Sequence, residues 1–331
     1  MDTVIRNYLQ KLKIGRKQSF KNLALYPLLS DYSLDLEYLL LDEALARNII
    51  EVVEKDSGGS VPELRVVNRS HEMVLILDGE ELVGAKQNRI VNTTILVPAD
   101  SAIVIPVSCV EHGRWSYDSP RFHSQKRMMS SELRARKAEQ VNCSVRSSGE
   151  FRADQGAIWD GIAEKANRME AHSPTGAMAA IYEKEMPSLE EYLRHFRLID
   201  YQVGAIFMLG GQVAGLDAFG KPGTCSKVFE KLLQSYALDA IDWHDPDKEY
   251  KALKSEVTRF QKAALSATAE ARPSVGLGTD LRLESGKVIG FALVLDDQIL
   301  HVSIFARANG RNHDNRFSRM QRYTRRRRNR A

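Results

Sequence analysis

The chain has 331 residues, 43% hydrophobic and 27% charged, enough for one large or two ordinary globular domains and too balanced for general disorder. No apolar run reaches the roughly 18 residues of a membrane helix, and Met1–Arg6 lacks the basic-then-apolar pattern of a secretory signal. Three cysteines, Cys109, Cys143 and Cys225, are odd in number and widely spaced, which excludes a disulfide framework and points to a reducing cytoplasm.

In chain order, residues 22–29 and 34–41 read as strands. Asp42 caps a predicted helix to about Val53 that ends at Gly58-Gly59. Glu63–Asn68, Glu72–Leu77, Glu81–Ala85, Arg89–Val97 and Ala102–Val110 follow as strands, with Asp78-Gly79 in a tight hairpin turn. The middle is helical: Ser131–Gln140, then Gln155–Glu170 capped by Asp154, then a helix opened by the capping box Ser188-Leu189-Glu190-Glu191. Gln202–Leu209 and Gln212–Phe219 form a hairpin around Gly210-Gly211. Helices at 226–240 and 247–271 precede closing strands at 275–283, 287–295 and 299–305. The expected fold is α+β: an N-terminal antiparallel meander or sandwich-like sheet, central helices, and C-terminal antiparallel strands packed with helices. The expected divisions are an extension over 1–17, a domain over 18–306 with a subdomain junction near 117–130, and an Arg-rich tail over 307–331.

Charge is divided unevenly along the chain. Residues 311–331 carry nine arginines and one acid, whereas residues 1–310 carry 38 basic and 42 acidic residues, so the +4 net charge belongs to the tail. Such a run predicts a disordered, solvated segment, and its sharper reading is an electrostatic contact with nucleic acid.

Two polar clusters bracket the apolar stretch from Ile90 to Val110. The first is Glu80-Glu81-Leu82-Val83-Gly84-Ala85-Lys86-Gln87-Asn88-Arg89; the second is Cys109-Val110-Glu111-His112-Gly113-Arg114-Trp115. Polar groups beside a hydrophobic strand must find partners or cost a few kcal/mol each, so the clusters predict a polar ligand site or a structural ion network. Glu80, Glu81, Glu111 and His112 are the acid–base candidates. A Cys109–His112 nucleophile pair is disfavoured, because a three-residue separation puts the two on opposite faces of a regular strand. Gln155 and Trp159 fall at i and i+4 on one helix face; core packing is the default reading of Trp159, with base or ring stacking as the alternative. The eight histidines show no HxH, HExxH or CxxC spacing, so no metal site and no cofactor is assigned. Asp217, Asp280, Arg282 and His301 are polar residues in otherwise apolar strands and are assigned to a second patch or to a distal wall of the first.

The segments Gly79–Ala99 (GEELVGAKQNRIVNTTILVPA), Pro106–Trp115 (PVSCVEHGRW), Phe151–Ile162 (FRADQGAIWDGI) and Gly204–Phe219 (GAIFMLGGQVAGLDAF) resemble, in order, the ARPP family. That domain is named for its association with ADP-ribosylglycohydrolases and rhodanese/phosphatase-superfamily proteins. The resemblance implies an ADP-ribose-like or other phosphorylated nucleotide derivative as ligand or substrate. Lys86, Arg89 and Arg114 would hold phosphate, and Gln87, Asn88 and Asn92 would bond ribose or base. It equally admits a non-catalytic regulatory or scaffold partner of an ADP-ribosylglycohydrolase or phosphatase. A third class, nucleic-acid association, rests on the tail alone.

Overall fold

The computed structural model describes residues 2–32, 34–56, 62–116 and 118–307. Residues 308–331 of the Arg-rich tail, and the disorder expected of them, lie outside the described residues; Arg307 is described and bonds Glu139 and Glu284. The fold is α+β, with three sheets. A nine-stranded, wholly antiparallel sheet draws strands from both ends of the chain. Lys13–Ile14 and Gln18–Phe20 pair with Leu23–Leu29, which is followed across the sheet by Gln202–Leu209, Gln212–Phe219, Gln298–Ala306, Val288–Leu295, Thr279–Glu284 and Thr268–Pro273. Period-2 alternation lets this sheet bury both faces. Ala205 and Phe207 face the cluster that includes the helix Pro222–Asp242, whereas Ile206 and Met208 face the helices Thr3–Lys11 and Lys254–Leu265.

The second sheet has six antiparallel strands in the order Phe122–Met128, Glu80–Gly84, Arg89–Val91, Ser101–Cys109, Glu63–Asn68, Ile50–Glu54. It curls until its edge strands touch, and Arg121 Nη1 lies 2.6 Å from Glu51 Oε1 across the gap. Val52, Leu64, Val66, Leu82, Val91, Ile105, Val107 and Phe122 fill the interior. A small sheet of Ile95–Val97, Met73–Ile76 and Tyr38–Leu40 lies beside it.

Several expectations are corrected. Leu23–Leu29 belongs to the nine-stranded sheet, not to an N-terminal meander, because its partner is Gln202–Leu209. Asp78-Gly79 is not a hairpin: Met73–Ile76 pairs with Ile95–Val97, and the turn carries the chain into another sheet. Gly79 sits at φ 79°, and a Cβ there would lie 3.1 Å from the Arg134 side chain, so glycine serves both the turn and the packing. The helix expected to run to Val53 stops at Ala46. Ile50–Glu54, alternating buried and half-buried, is a strand on Glu63–Asn68. The long helix expected to Ala271 spans only Lys254–Leu265, and Thr268–Pro273 is an edge strand. Met186–Leu193 begins two residues before the expected capping box, with proline in its first turn. Gln155–Arg168 starts where its cap predicts, Asp154 accepting the Ala157 N–H at 3.1 Å. Residues 3–12 pack into the core through Ile5, Tyr8, Leu9 and Leu12, and the Tyr8 hydroxyl donates to Phe219 O at 2.6 Å.

Candidate functional site

The two polar clusters meet at one end of the six-stranded sheet. Arg89 and Cys109 are direct cross-strand partners, and Leu82 lies opposite Arg89 on its other side. Partners share a face, so Arg89 and Cys109 point with Leu82, Val91 and Val107 toward the curled interior. The turn between the strands is tight, with Gly84 at φ 119° and Ala85 at φ 44°. A Cβ on Gly84 would come within 2.4 Å of Ser119 Oγ, so the segment after Trp115 can close over this turn only because residue 84 is glycine.

Arg89 is fully buried. Its Nη1 donates to Gln87 Oε1 at 3.1 Å and to Asn88 O at 3.5 Å, while Nε and Nη2 have no acceptor. These two nitrogens form the side edge of the guanidinium, the edge that grips a carboxylate or phosphate with two parallel N–H groups. Burial lowers the Arg89 pKa from its ordinary value, partly offset by Cys109, Glu54 and Glu111. Cys109 donates to Gln87 Oε1 at 3.1 Å and to Glu111 O at 3.2 Å, and burial pushes its thiol up. That environment suits packing rather than a nucleophile. Gln155 bonds both the Cys109 N–H and the Cys109 carbonyl at 2.8 Å, standing in for a neighbouring strand.

Arg114 fills the corresponding edge of its own guanidinium with Glu111 Oε2, at 2.9 Å from Nε and 2.7 Å from Nη2. Glu111 also accepts from the Asn88 N–H at 3.2 Å and from Thr175 Oγ1 at 2.8 Å. Burial acts against ionisation of Glu111, but Arg114 and these donors hold its pKa below the ordinary value. Asn88 Oδ1 accepts from Gly84 N and Arg114 Nη2. Above the group sits Trp115, 49% exposed, with Lys86 Nζ 5.3 Å and Arg89 Cζ 5.9 Å from its ring centroid. His112 is exposed and meets Trp159 edge-on at 4.3 Å.

Residues 11–305 match the family described as the ARG and Rhodanese-Phosphatase-superfamily-associated Protein domain. The chain belongs to this family. Neither the curated proteins nor the solved structures returned a match. Three segments of the ARPP resemblance converge on Cys109: Gly79–Ala99 brings Arg89 and Gln87, Pro106–Trp115 brings Cys109 itself, and Phe151–Ile162 brings Gln155 and Trp159.

The remaining candidates lie elsewhere in the ARPP domain. Glu80 points to Lys231, which also bonds Asp42 at 2.7 Å; burial raises the Glu80 pKa against the pull of that lysine. Glu81 faces with Ile90, on the side of the sheet opposite Arg89. It is fully buried with neither oxygen hydrogen-bonded, and burial raises its pKa to about 7 despite Arg127. Asn92 commits its amide to Phe151 O and Ser108 Oγ. Asp217, Asp280, Arg282 and His301 join a buried network that sequence reasoning did not foresee as such. In it Arg134 bonds Asp217 at 2.7 Å, Lys137 bonds Asp78, and Arg282 grips Asp280 at 2.5 and 2.6 Å. His301 Nδ1 pairs with Thr94 Oγ1 at 2.8 Å.

Glu54, Trp115, Trp159 and Thr175 are further members of the Arg89 end. Trp115 closes the second motif and Trp159 stands out on its helix face with Gln155, whereas Glu54 and Thr175 carry no signal in the sequence. Two surface hollows of about 460 and 480 Å³ flank the helix Lys254–Leu265, lined by residues such as Leu9, Leu216 and Lys262, and neither borders Arg89. Among the described residues no group of three or more His, Cys, Asp or Glu is placed to hold a metal ion, and no helix is long and apolar enough to cross a membrane.

Proposed function

We propose that the Arg89 end of the six-stranded sheet binds the phosphate of an ADP-ribose-like or other phosphorylated nucleotide derivative. The observation that carries this reading is the open edge of Arg89. Three arginines are buried among the described residues, and the other two, Arg134 and Arg282, direct that edge at aspartates. A buried guanidinium left half-bonded costs several kcal/mol, which an anionic ligand would recover. Lys86, Arg89 and Arg114 gather here against Glu54 and Glu111, and half-exposed Trp115 offers a stacking surface for a base. Glu111, held ionised by Arg114, is the base if a reaction follows binding.

A thermal-shift and calorimetric titration with ADP-ribose, AMP and NAD tests the reading, since a ligand bound only by the native state raises its stability. Stabilisation by at least one of these in the wild-type chain, lost in Arg89→Ala, is the expected result. Equal shifts in both proteins would reject it.

The family description favours a second reading, in which the domain is the non-catalytic partner of a rhodanese-phosphatase-superfamily protein. That role predicts complex formation with such a protein, indifferent to Arg89→Ala, and no nucleotide-induced shift.

A further inference from the structure

The atoms without partners at the Arg89 end are of both kinds. Arg89 Nε, Arg89 Nη2 and Trp159 Nε1 are buried donors with no acceptor, and Glu54 Oε2 is a buried acceptor with no donor. All belong to one neighbourhood. Trp159 lies one helical turn after Gln155, whose amide bonds the Cys109 backbone, and Cys109 is the cross-strand partner of Arg89. Glu54 acts on Arg89 through its charge, while its other oxygen accepts the Lys86 backbone N–H at 3.3 Å. An occupant that satisfies this set presents several acceptor oxygens to the N–H groups and one hydroxyl to Glu54.

Few common anions do both. A carboxylate and an internal phosphodiester or diphosphate linkage each offer acceptors only. A terminal phosphate monoester, as its monoanion, has three oxygens free of carbon, one of which carries a proton. Access argues the same way. Arg89 is 0% exposed, and the face it shares continues into the apolar side chains of Leu82, Val91 and Val107, so a polar group can reach its open edge only from the side of the turn. An internal phosphodiester carries a substituent on each side and needs two exits, whereas a terminal group needs one.

We propose that the open edge of Arg89 takes the terminal phosphomonoester of a nucleotide: Arg89 grips two oxygens, Trp159 donates to the phosphate, Glu54 accepts the P–OH hydrogen, and the base lies toward Trp115. This rests on the anion reading of Arg89 given above. It separates nucleoside monophosphate ends from internally linked compounds such as ADP-ribose itself.

Calorimetry on the full chain with AMP, cyclic AMP and ADP-ribose tests it, with Arg89→Lys and Glu54→Gln beside the wild type. AMP should bind about tenfold or more tighter than the other two, the worth of one charge-assisted hydrogen bond. Both variants should bring AMP down to the level of cyclic AMP, Arg89→Lys because it keeps the charge and loses the two-pronged edge. Cyclic AMP or ADP-ribose binding as tightly as AMP would overturn the terminal assignment and leave the anion site standing. So would AMP affinity unchanged in Glu54→Gln when Arg89→Lys weakens it. Binding of none of the three, or binding indifferent to Arg89→Lys, would overturn the anion site as well. A matching melting temperature for Glu54→Gln, an isosteric change, separates lost binding from lost fold.

Discussion

Among the described residues two regions bury arginine side chains, and they settle the charge in opposite ways. Between the sheets, Arg134, Lys137 and Arg282 meet Asp78, Asp217 and Asp280, three against three. Arg134 and the Asp217 hydrogen bonds hold that aspartate well below the usual carboxylate range against the opposing effect of burial. Lys137, with burial winning over Asp78, falls to about 8. At the Arg89 end an equally buried guanidinium keeps its gripping edge empty while carboxylates nearby bond other groups. A buried charge matched by fixed partners ties the protein together. One left half-matched keeps an anion-gripping edge open, the feature on which the proposed site rests.

The sharpest way to break this contrast is Asp217→Ala. It strands Arg134, releases the Tyr236 hydroxyl bonded at 2.8 Å and leaves His301 without its acid. Loss of about 3–5 kcal/mol in urea denaturation is expected, the cost of an uncompensated buried charge. A loss near zero would show that the network is ornamental.

Glu81 supplies a third case, a buried acid with no partner at all. Its folded pKa of about 7 lies above the ordinary 4.5, so the folded state keeps a proton that the unfolded chain releases. Stability should therefore fall as pH rises from about 4.5 to about 7 and stay reduced above that, by on the order of 3 kcal/mol. Glu81→Gln should match the wild type near pH 4 and exceed it near pH 8. Identical pH profiles for the two proteins would mean that Glu81 finds a partner in solution.

Arg89→Ala is the converse of Asp217→Ala. Ligand affinity should drop more than about tenfold, or 1.5–3 kcal/mol, with stability changed by less than about 1 kcal/mol. Marked destabilisation with unchanged affinity would place Arg89 among the structural charges. Smallest of all should be Cys109→Ser, in which a hydroxyl takes over the bonds to Gln87 and Glu111. Affinity within about threefold and stability within about 1.5 kcal/mol are expected, and abolished binding in a folded Cys109→Ser protein would return the thiol to the chemistry.

Elements with strong local signals were legible in the sequence. The hairpin Gln202–Leu209 and Gln212–Phe219, the closing strands and the Asp154-capped helix carry their glycines, alternation and cap on the surface of the text. The meeting of Asn88 with Glu111 and Arg114 was legible as well, since the two clusters flank one apolar run, but Glu80 and Glu81 do not join it. Burial of charge was not. Arg134 and Lys137 sit on a helix that reads as polar, and only aspartates 56 to 83 residues away make their burial tolerable. Glu80 and Glu81 could share a site only if the turn at Gly79 aimed both at one space, and in the strand that holds them alternation sends them to different sides. The fate of Leu23–Leu29 was hidden because its neighbour in the sheet comes some 175 residues later, beyond any local pattern.

The order of strands in the nine-stranded sheet has a consequence for how the chain is made. Gln298–Ala306, the last strand described, lies between Gln212–Phe219 and Val288–Leu295. Until it has been synthesised, Gln212–Phe219 presents an open row of backbone donors and acceptors, a template for pairing with other chains. Leu23–Leu29 likewise waits for Gln202–Leu209 while more than half of the chain is built. This sheet cannot close before Gln298–Ala306 is available, and its folding should be slow because its pairings are distant in sequence, and vulnerable to aggregation while it waits. A nascent chain stalled before residue 298 should need a chaperone, whereas the same protein, once released, should not.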